Sequence, residues 1–298
     1  MRILDLVGNT PLLEIKTLIE PDGARVFAKA EFLNPSGSVK DRAAKAMILD
    51  GIERGKLSYG KDIIDATSGN TGIAYAMFGA ALGFGVKIFL PSNASIERKK
   101  TMEHFGAQIV QTDPLEGSDG AFLLAQAEAQ RYPERYFYPN QYHNEANPLA
   151  HYYGTGEEIL KQSEGKVTHF ICAMGTSGTF IGVARRLKER NADIRTISVQ
   201  PNSPFHGIEG TKHLQSTLRS GFFDEGLVDS YMEVSTEHAY QTTKALALKE
   251  GIYVGASSGA NVYAASRLAA TLPKSAIVVT ILADNGNRYA SESFWSAA

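Results

Sequence analysis

The amino-acid sequence predicts an α/β fold with mostly parallel sheets, and three features predict it. Short apolar runs rich in β-branched residues alternate with longer amphipathic or alanine-rich stretches, the pattern of strands joined by crossover helices. Polar turns of small residues stand ahead of helical stretches at residues 67–72, 175–179 and 255–260. The composition, 43% hydrophobic and 21% charged over 298 residues, is that of a globular chain able to bury two modest cores or one large one.

In chain order, the pattern Arg42-Ala43-Ala44-Lys45-Ala46-Met47-Ile48 predicts a helix over 41–54. A strand is expected near 62–67, a helix over 71–82 and a strand over 86–91. Ser95 before Ile96-Glu97-Arg98 reads as an N-cap and Gly106 as a C-cap, which frame a helix over 95–105. A strand near 107–111 and helices over 117–131 and 148–162 follow. A strand near 168–174, a helix over 178–190, a strand near 194–200 and a helix over 236–249 closed by Gly251 come next. A helix over 258–270 and a strand near 276–283 complete the alternation.

No internal repeat or low-complexity linker is visible, so a domain boundary is inferred at the Tyr-, Pro- and Asn-rich stretch 132–148. Lys and Arg total 30 against 32 for Asp and Glu, leaving no excess of positive charge to hold nucleic acid or an anionic membrane. The N-terminal apolar stretch carries Asp5 and reaches a turn at Gly8-Asn9 too early for a signal-peptide core, so a cytoplasmic location is expected. The uncharged run 66–86 holds too many Thr, Ser, Asn and Gly for a membrane span and reads as a turn and a buried helix. Cys172 is the only cysteine, which excludes an intramolecular disulfide, and its strand context makes it a packing residue. The seven histidines show no helical ligand spacing, so no metal site is expected.

The strongest chemical signal is Asn34-Pro35-Ser36-Gly37-Ser38-Val39-Lys40-Asp41-Arg42, followed by the turn Thr67-Ser68-Gly69-Asn70-Thr71-Gly72. Taken alone, Lys40 would read as a solvated surface charge. Its place at the start of a helix, where the positive end of the dipole lowers the proton affinity of an amine, suits a nucleophile. Gly175-Thr176-Ser177-Gly178-Thr179 follows an expected strand and opens an expected helix, so it reads either as a structural turn or as an anion cradle of backbone N–H groups and hydroxyls. It is neither the dinucleotide fingerprint nor the nucleotide P-loop. Gly255-Ala256-Ser257-Ser258-Gly259-Ala260 offers a serine that reads equally as a helix cap.

Together these segments resemble the cysteine synthase (O-acetylserine sulfhydrylase) family of fold-type II pyridoxal-phosphate enzymes, closest to its cysteine synthase B branch. The resemblance runs in order from Gly8-Asn9-Thr10-Pro11 to Gly286-Asn287-Arg288-Tyr289. It implies a two-lobed, tryptophan synthase β-like fold, with a mobile N-terminal lobe of residues 35–145 with 1–11 and a larger C-terminal lobe of 146–298 with 12–34. It further implies that Lys40 carries pyridoxal 5'-phosphate as a Schiff base. Asn70 then meets the ring hydroxyl, Gly175, Thr176, Ser177, Gly178 and Thr179 hold the phosphate, and Ser257 meets the pyridine nitrogen. Thr67, Ser68, Thr71 and Gln141 fall to the amino-acid carboxylate, although Gln141 also reads as a surface amide and is followed by Tyr142 rather than the usual phenylalanine. Asp65-Ala66 stands where many relatives have Glu-Pro, and the chain lacks the longer tail of some members.

The activity so implied is β-replacement of O-acetyl-L-serine by sulfide to give L-cysteine, in a homodimer acting on small molecules in the cytoplasm. Lys212, in Gly207-Ile208-Glu209-Gly210-Thr211-Lys212-His213, lies where relatives that accept phosphoserine place a basic residue, and otherwise reads as a solvated lysine. The alternatives are an O-phosphoserine sulfhydrylase, a cystathionine β-synthase, a dehydratase on the same fold, and a degenerate homologue that only binds a partner. Docking to a serine acetyltransferase is left undecided by the residues.

Overall fold

The computed structural model describes residues 1–67, 69–217 and 219–296. Its strands are β1 (Leu12–Ile15), β2 (Arg25–Ala30), β3 (Asp62–Ala66), β4 (Val86–Pro91), β5 (Gln108–Thr112), β6 (Tyr136–Phe137), β7 (His169–Ala173), β8 (Arg195–Pro201), β9 (Ser230–Val234) and β10 (Ile277–Leu282). The helices are α1 (Lys40–Glu53), α2 (Asn70–Leu82), α3 (Ile96–His104), α4 (Gly117–Arg131), α5 (Ala146–Ala150), α6 (Glu157–Gln162), α7 (Gly178–Arg190), α8 (Thr236–Ala245) and α9 (Ala256–Ala269). The chain divides into two compact units, Met1–Val7 with Lys40–Asn147, and Gly8–Val39 with Pro148–Ala298.

The first unit is built on a parallel sheet in the order β5-β4-β3-β6. Alternation along the strands sends successive side chains to opposite faces. Ile63 and Ile88 therefore join Ala44, Met47 and Ile48 of α1 and Ile73, Ala74 and Phe78 of α2 in one cluster. Ile64 and Phe89 join Ala121, Ala125 and Ala129 of α4 in another. Burial on both faces explains why these strands read as continuous apolar runs rather than alternating ones. Helix α2 is itself buried from Thr71 to Gly79, as the uncharged run predicts.

The second unit carries a six-stranded sheet in the order β1-β2-β10-β7-β8-β9, parallel except for the β1–β2 pair. Ile171, Ile197 and Val278 pack with Ala256, Ala260, Val262 and Ala264 of α9 on one face. Phe170, Cys172 and Val279 pack with Phe180, Ile181, Val183 and Leu187 of α7 on the other. Cys172 is thus a buried packing residue, as its strand context requires.

Several elements depart from the expected pattern. The single helix expected over 148–162 is three pieces, α5, a π-helical turn over His151–Gly156 and α6. The helix expected over 236–249 likewise ends in a π-helical turn, Leu246–Glu250, closed by Gly251 at φ +68°. Ser95 caps α3 as expected, its Oγ accepting the Arg98 N–H at 3.4 Å. Strands β1, β2, β6 and β9 have no counterpart among the expected elements. Among the described residues no helix is long and apolar enough to cross a membrane.

Candidate active site

In the first unit the candidate residues gather at the carboxyl end of β3 and the starts of α1 and α2, the end of a parallel sheet at which ligands bind. Lys40 is the first residue of α1 and is half-buried. Asn70 opens α2 and Thr71 follows it, within the first turn, where backbone N–H groups have no intrahelical acceptor. Gly69 precedes them without a side chain that could occupy those donors. Thr67 Oγ1 accepts the Gly69 N–H at 3.3 Å and tightens the turn. Ser68 lies outside the described residues. Gly72 is required by close approach, because a Cβ there would stand 2.7 Å from Met102 Sδ and 3.0 Å from Thr67 Cγ2.

The same unit brings Thr71 and Gln141 together from 70 residues apart. Thr71 Oγ1 donates to Gln141 Oε1 at 3.2 Å, and Gln141 Nε2 donates to Asp65 Oδ2 at 3.5 Å. Asn147 Nδ2 holds the Gln141 carbonyl at 2.8 Å, so Gln141 is a buried, multiply tethered residue rather than a surface amide. Asp65 is 1% exposed. Burial pushes its carboxyl up to about 7, against the opposing pull of the Ala66 N–H and the Tyr75 hydroxyl.

In the second unit Gly175-Thr176-Ser177-Gly178-Thr179 joins β7 to α7. Ser177 adopts a left-handed backbone, φ +63°, immediately before the 13-residue helix. A left-handed residue beside helical ones turns successive N–H groups into a concave anion nest at the positive end of the dipole. Ser177 Oγ bonds the Thr176 carbonyl and the Ser220 hydroxyl, each at 2.6 Å. A Cβ at Gly175 would stand 2.5 Å from the Gly210 carbonyl oxygen, so the loop over 207–213 lies directly on the nest. The Lys212 N–H donates to the Met174 carbonyl at 2.8 Å, which brings Lys212 to the same place. Thr179 Oγ1 lies 3.3 Å from Nε2 of the buried His151.

Ser257 is the second residue of α9 and is buried, 7% exposed. Among the described residues its hydroxyl has no side-chain hydrogen bond, and it is not the cap of the helix, since Gly255 holds that position. Its neighbour Ser258 has a structural task, accepting the Ala283 N–H at 2.8 Å. Asn261, one turn on, accepts the Ala173 N–H at 2.7 Å and donates to the Ile281 carbonyl at 2.8 Å, which docks α9 on β7 and β10. Asp65, His151, Ser220 and Asn261 were not among the expected site residues. Asn261 carried a usable signal, an amide on an otherwise alanine-rich helix face.

These features fit pyridoxal phosphate. The nest before α7 suits a phosphate dianion, the buried hydroxyl of Ser257 suits a ring nitrogen, and Lys40 supplies an amine at a helix start. Fold and candidate site together define an α/β enzyme of the fold-type II pyridoxal-phosphate class. The family model described as "Pyridoxal-phosphate dependent enzyme" matches residues 3–284, and the chain belongs to that family. It is 49% identical to a cysteine synthase of Aquifex aeolicus over 99% of this chain and 92% of that protein. It is 40% identical to cysteine synthase B of Salmonella typhimurium over 96% of this chain and 93% of that protein. Among solved structures, a cysteine synthase of Entamoeba histolytica superposes with a TM-score of 0.93 at 34% identity, covering 100% of this chain and 91% of that one.

Proposed function

We propose that the protein is a pyridoxal-phosphate-dependent cysteine synthase that replaces the β-substituent of O-acetyl-L-serine with sulfide. The observation that carries the reading is full-length kinship with cysteine synthases. Lys40, Asn70, Gly175, Thr176, Ser177, Gly178, Thr179 and Ser257 would hold the cofactor. When bound, it supplies the electron sink that allows a substituent to leave the β-carbon of an amino acid.

The chain's own residues supply the rest. Lys40 would hold the cofactor, and its Nζ, once released by the incoming substrate amine, would take the α-proton of the substrate and return it at the end of turnover. Thr67, Ser68, Thr71 and Gln141 bind the substrate carboxylate with hydroxyl and amide donors. Ser257 offers the pyridine nitrogen a neutral hydroxyl instead of a carboxylate. The nitrogen is therefore not held protonated, which favours loss of a β-substituent over prolonged carbanion chemistry.

The proposed setting is a cytoplasmic homodimer with the lobes expected from the sequence, 35–145 with 1–11 and 146–298 with 12–34. Sedimentation of the holoenzyme tests the dimer.

The test of function is the visible spectrum of the purified holoenzyme before and after O-acetyl-L-serine, then sulfide. A band that shifts with the donor and returns with sulfide, with L-cysteine released, supports the reading. A band unmoved by the donor directs the search to another β-substituted serine. Lys40→Ala abolishes turnover, and retained synthesis refutes the role given to Lys40.

A further inference from the structure

Gln141 is asked to bind an anionic carboxylate, and an amide can do so only through its NH2 group. Turned over, it would present a carbonyl oxygen to the anion. What decides its orientation is therefore part of the substrate site, and the contacts of Gln141 show a division of labour. Its Oε1 accepts from Thr71 Oγ1 at 3.2 Å and its Nε2 donates to Asp65 Oδ2 at 3.5 Å. Thr71 cannot fix the amide, because a hydroxyl rotates and serves equally as donor or acceptor. An ionised carboxyl only accepts, and the flipped amide would set Oε1 against it.

Asp65 is itself aimed. Its Oδ1 accepts the N–H of its own neighbour, Ala66, at 2.8 Å. The pairing with Ala66 needs a short acidic side chain and a following residue that has an N–H, which proline lacks. At 1% exposure no solvent competes for these bonds.

We propose that Asp65 is a positioning residue, whose carboxylate accepts from Gln141 Nε2 and so fixes the amide orientation that meets the α-carboxylate of the amino-acid substrate. The assignment rests on the cysteine synthase reading above. In this assignment Asp65 acts through Gln141.

The test is a double-mutant cycle in the holoenzyme at pH 8, with O-acetyl-L-serine and sulfide. Asp65→Asn replaces an acceptor-only group by an amide that tolerates either orientation and removes the charge-assisted bond. It should raise the donor KM about fivefold and leave kcat within about twofold. Calorimetric binding of L-serine should weaken by the same factor. In a Gln141→Ala background the same substitution should change neither quantity by more than about twofold. An equal effect in that background would make Asp65 a structural residue and overturn the proposal, as would an unchanged KM in the single variant. Should Asp65→Asn fail to fold, Ala66→Pro removes the N–H that aims Oδ1, at a strand position whose extended backbone proline can adopt, and is expected to raise the donor KM in the same direction. An unchanged KM there overturns the proposal. A wild-type holoenzyme whose band ignores the donor and which makes no cysteine would instead sink the functional reading, and this assignment with it.

Discussion

The hydroxyls of Ser177 and Ser220 meet at 2.6 Å, and this contact secures the most strained residue of the anion nest. Ser177 also bonds the Thr176 carbonyl at 2.6 Å, which uses its only proton, so Ser220 is the donor between the two hydroxyls. A non-glycine residue in the left-handed region costs about 1–2 kcal/mol. The bond from the buried Ser220 offsets about 1 kcal/mol of that. Ser220→Ala should lower stability by about that amount and weaken retention of pyridoxal phosphate about fivefold. Titrating the apoprotein with the cofactor checks it, and an unchanged affinity would remove the loop from the phosphate site.

Gly72→Ala sets two effects against each other. Alanine in place of glycine inside a helix gains about 1 kcal/mol. The new Cβ would meet Met102 Sδ at 2.7 Å and Thr67 Cγ2 at 3.0 Å, and overpacking of that kind costs about 1–3 kcal/mol. Met102 can turn its sulfur away, whereas Thr67 yields only by moving the turn it closes with Gly69. The expected outcome is a net loss of about 1 kcal/mol with a severalfold rise in donor KM. Thermal melting and initial rates, read together, separate the two effects.

Much of this arrangement was legible in the sequence. The central strands announced themselves because burial on both faces demands apolar, β-branched runs, and the Gly175 to Thr179 loop stood out as small residues between such a strand and a helix. Of the edge strands, β5 was expected near 107–111, whereas β1, β6 and β9 were not legible. Strand β9 is largely exposed and β6 spans two residues, so neither carries an apolar run. Strand β2 hid behind Lys29, a fully buried lysine 2.6 Å from Glu158, since a charge in a run argues against an interior strand. The π-helical turn over His151–Gly156 follows from packing. A Cβ at Gly182 of α7 would fall 2.1 Å from the Pro148 carbonyl, and no local pattern encodes that approach. The link from Thr71 through Gln141 to Asp65 likewise exists only once the sheet has formed.

Substitution of Lys212 tests whether the donor is the acetyl or the phosphoryl ester of serine. The Lys212 backbone is fixed to Met174 at 2.8 Å, and Gly210 lies on Gly175, so main-chain contacts hold the residue beside the nest. Lys212→Ala should leave the fold intact. If the enzyme accepts O-phospho-L-serine, loss of the cation should raise the KM for that donor about tenfold and leave that for O-acetyl-L-serine within about twofold. Steady-state rates with each donor make the comparison. Equal effects on both donors would assign Lys212 to the loop's structure.

Asp65 should make the protein less stable in neutral than in mildly acidic solution, through the same burial that suits it to hold Gln141. Burial raises the pKa of its carboxyl in the folded chain from the ordinary 3.8 to about 7. Between those limits the folded chain keeps a proton that the unfolded chain has released. Stability therefore falls as the pH rises from about 4 to about 7 and is flat beyond. Asp65→Asn carries the shape of the protonated acid at every pH. It should match the wild type at about pH 4 and below and exceed it at pH 8 by a few kcal/mol, since each tenfold change in proton affinity is worth about 1.4 kcal/mol. Denaturant titrations of both proteins at the two pH values test this. An Asn variant less stable than the wild type at pH 8 would mean that the carboxylate's bonds to Ala66 and Gln141 outweigh its desolvation. Greater stability joined to a higher donor KM would mean that the buried charge is kept for binding, at a cost to the fold.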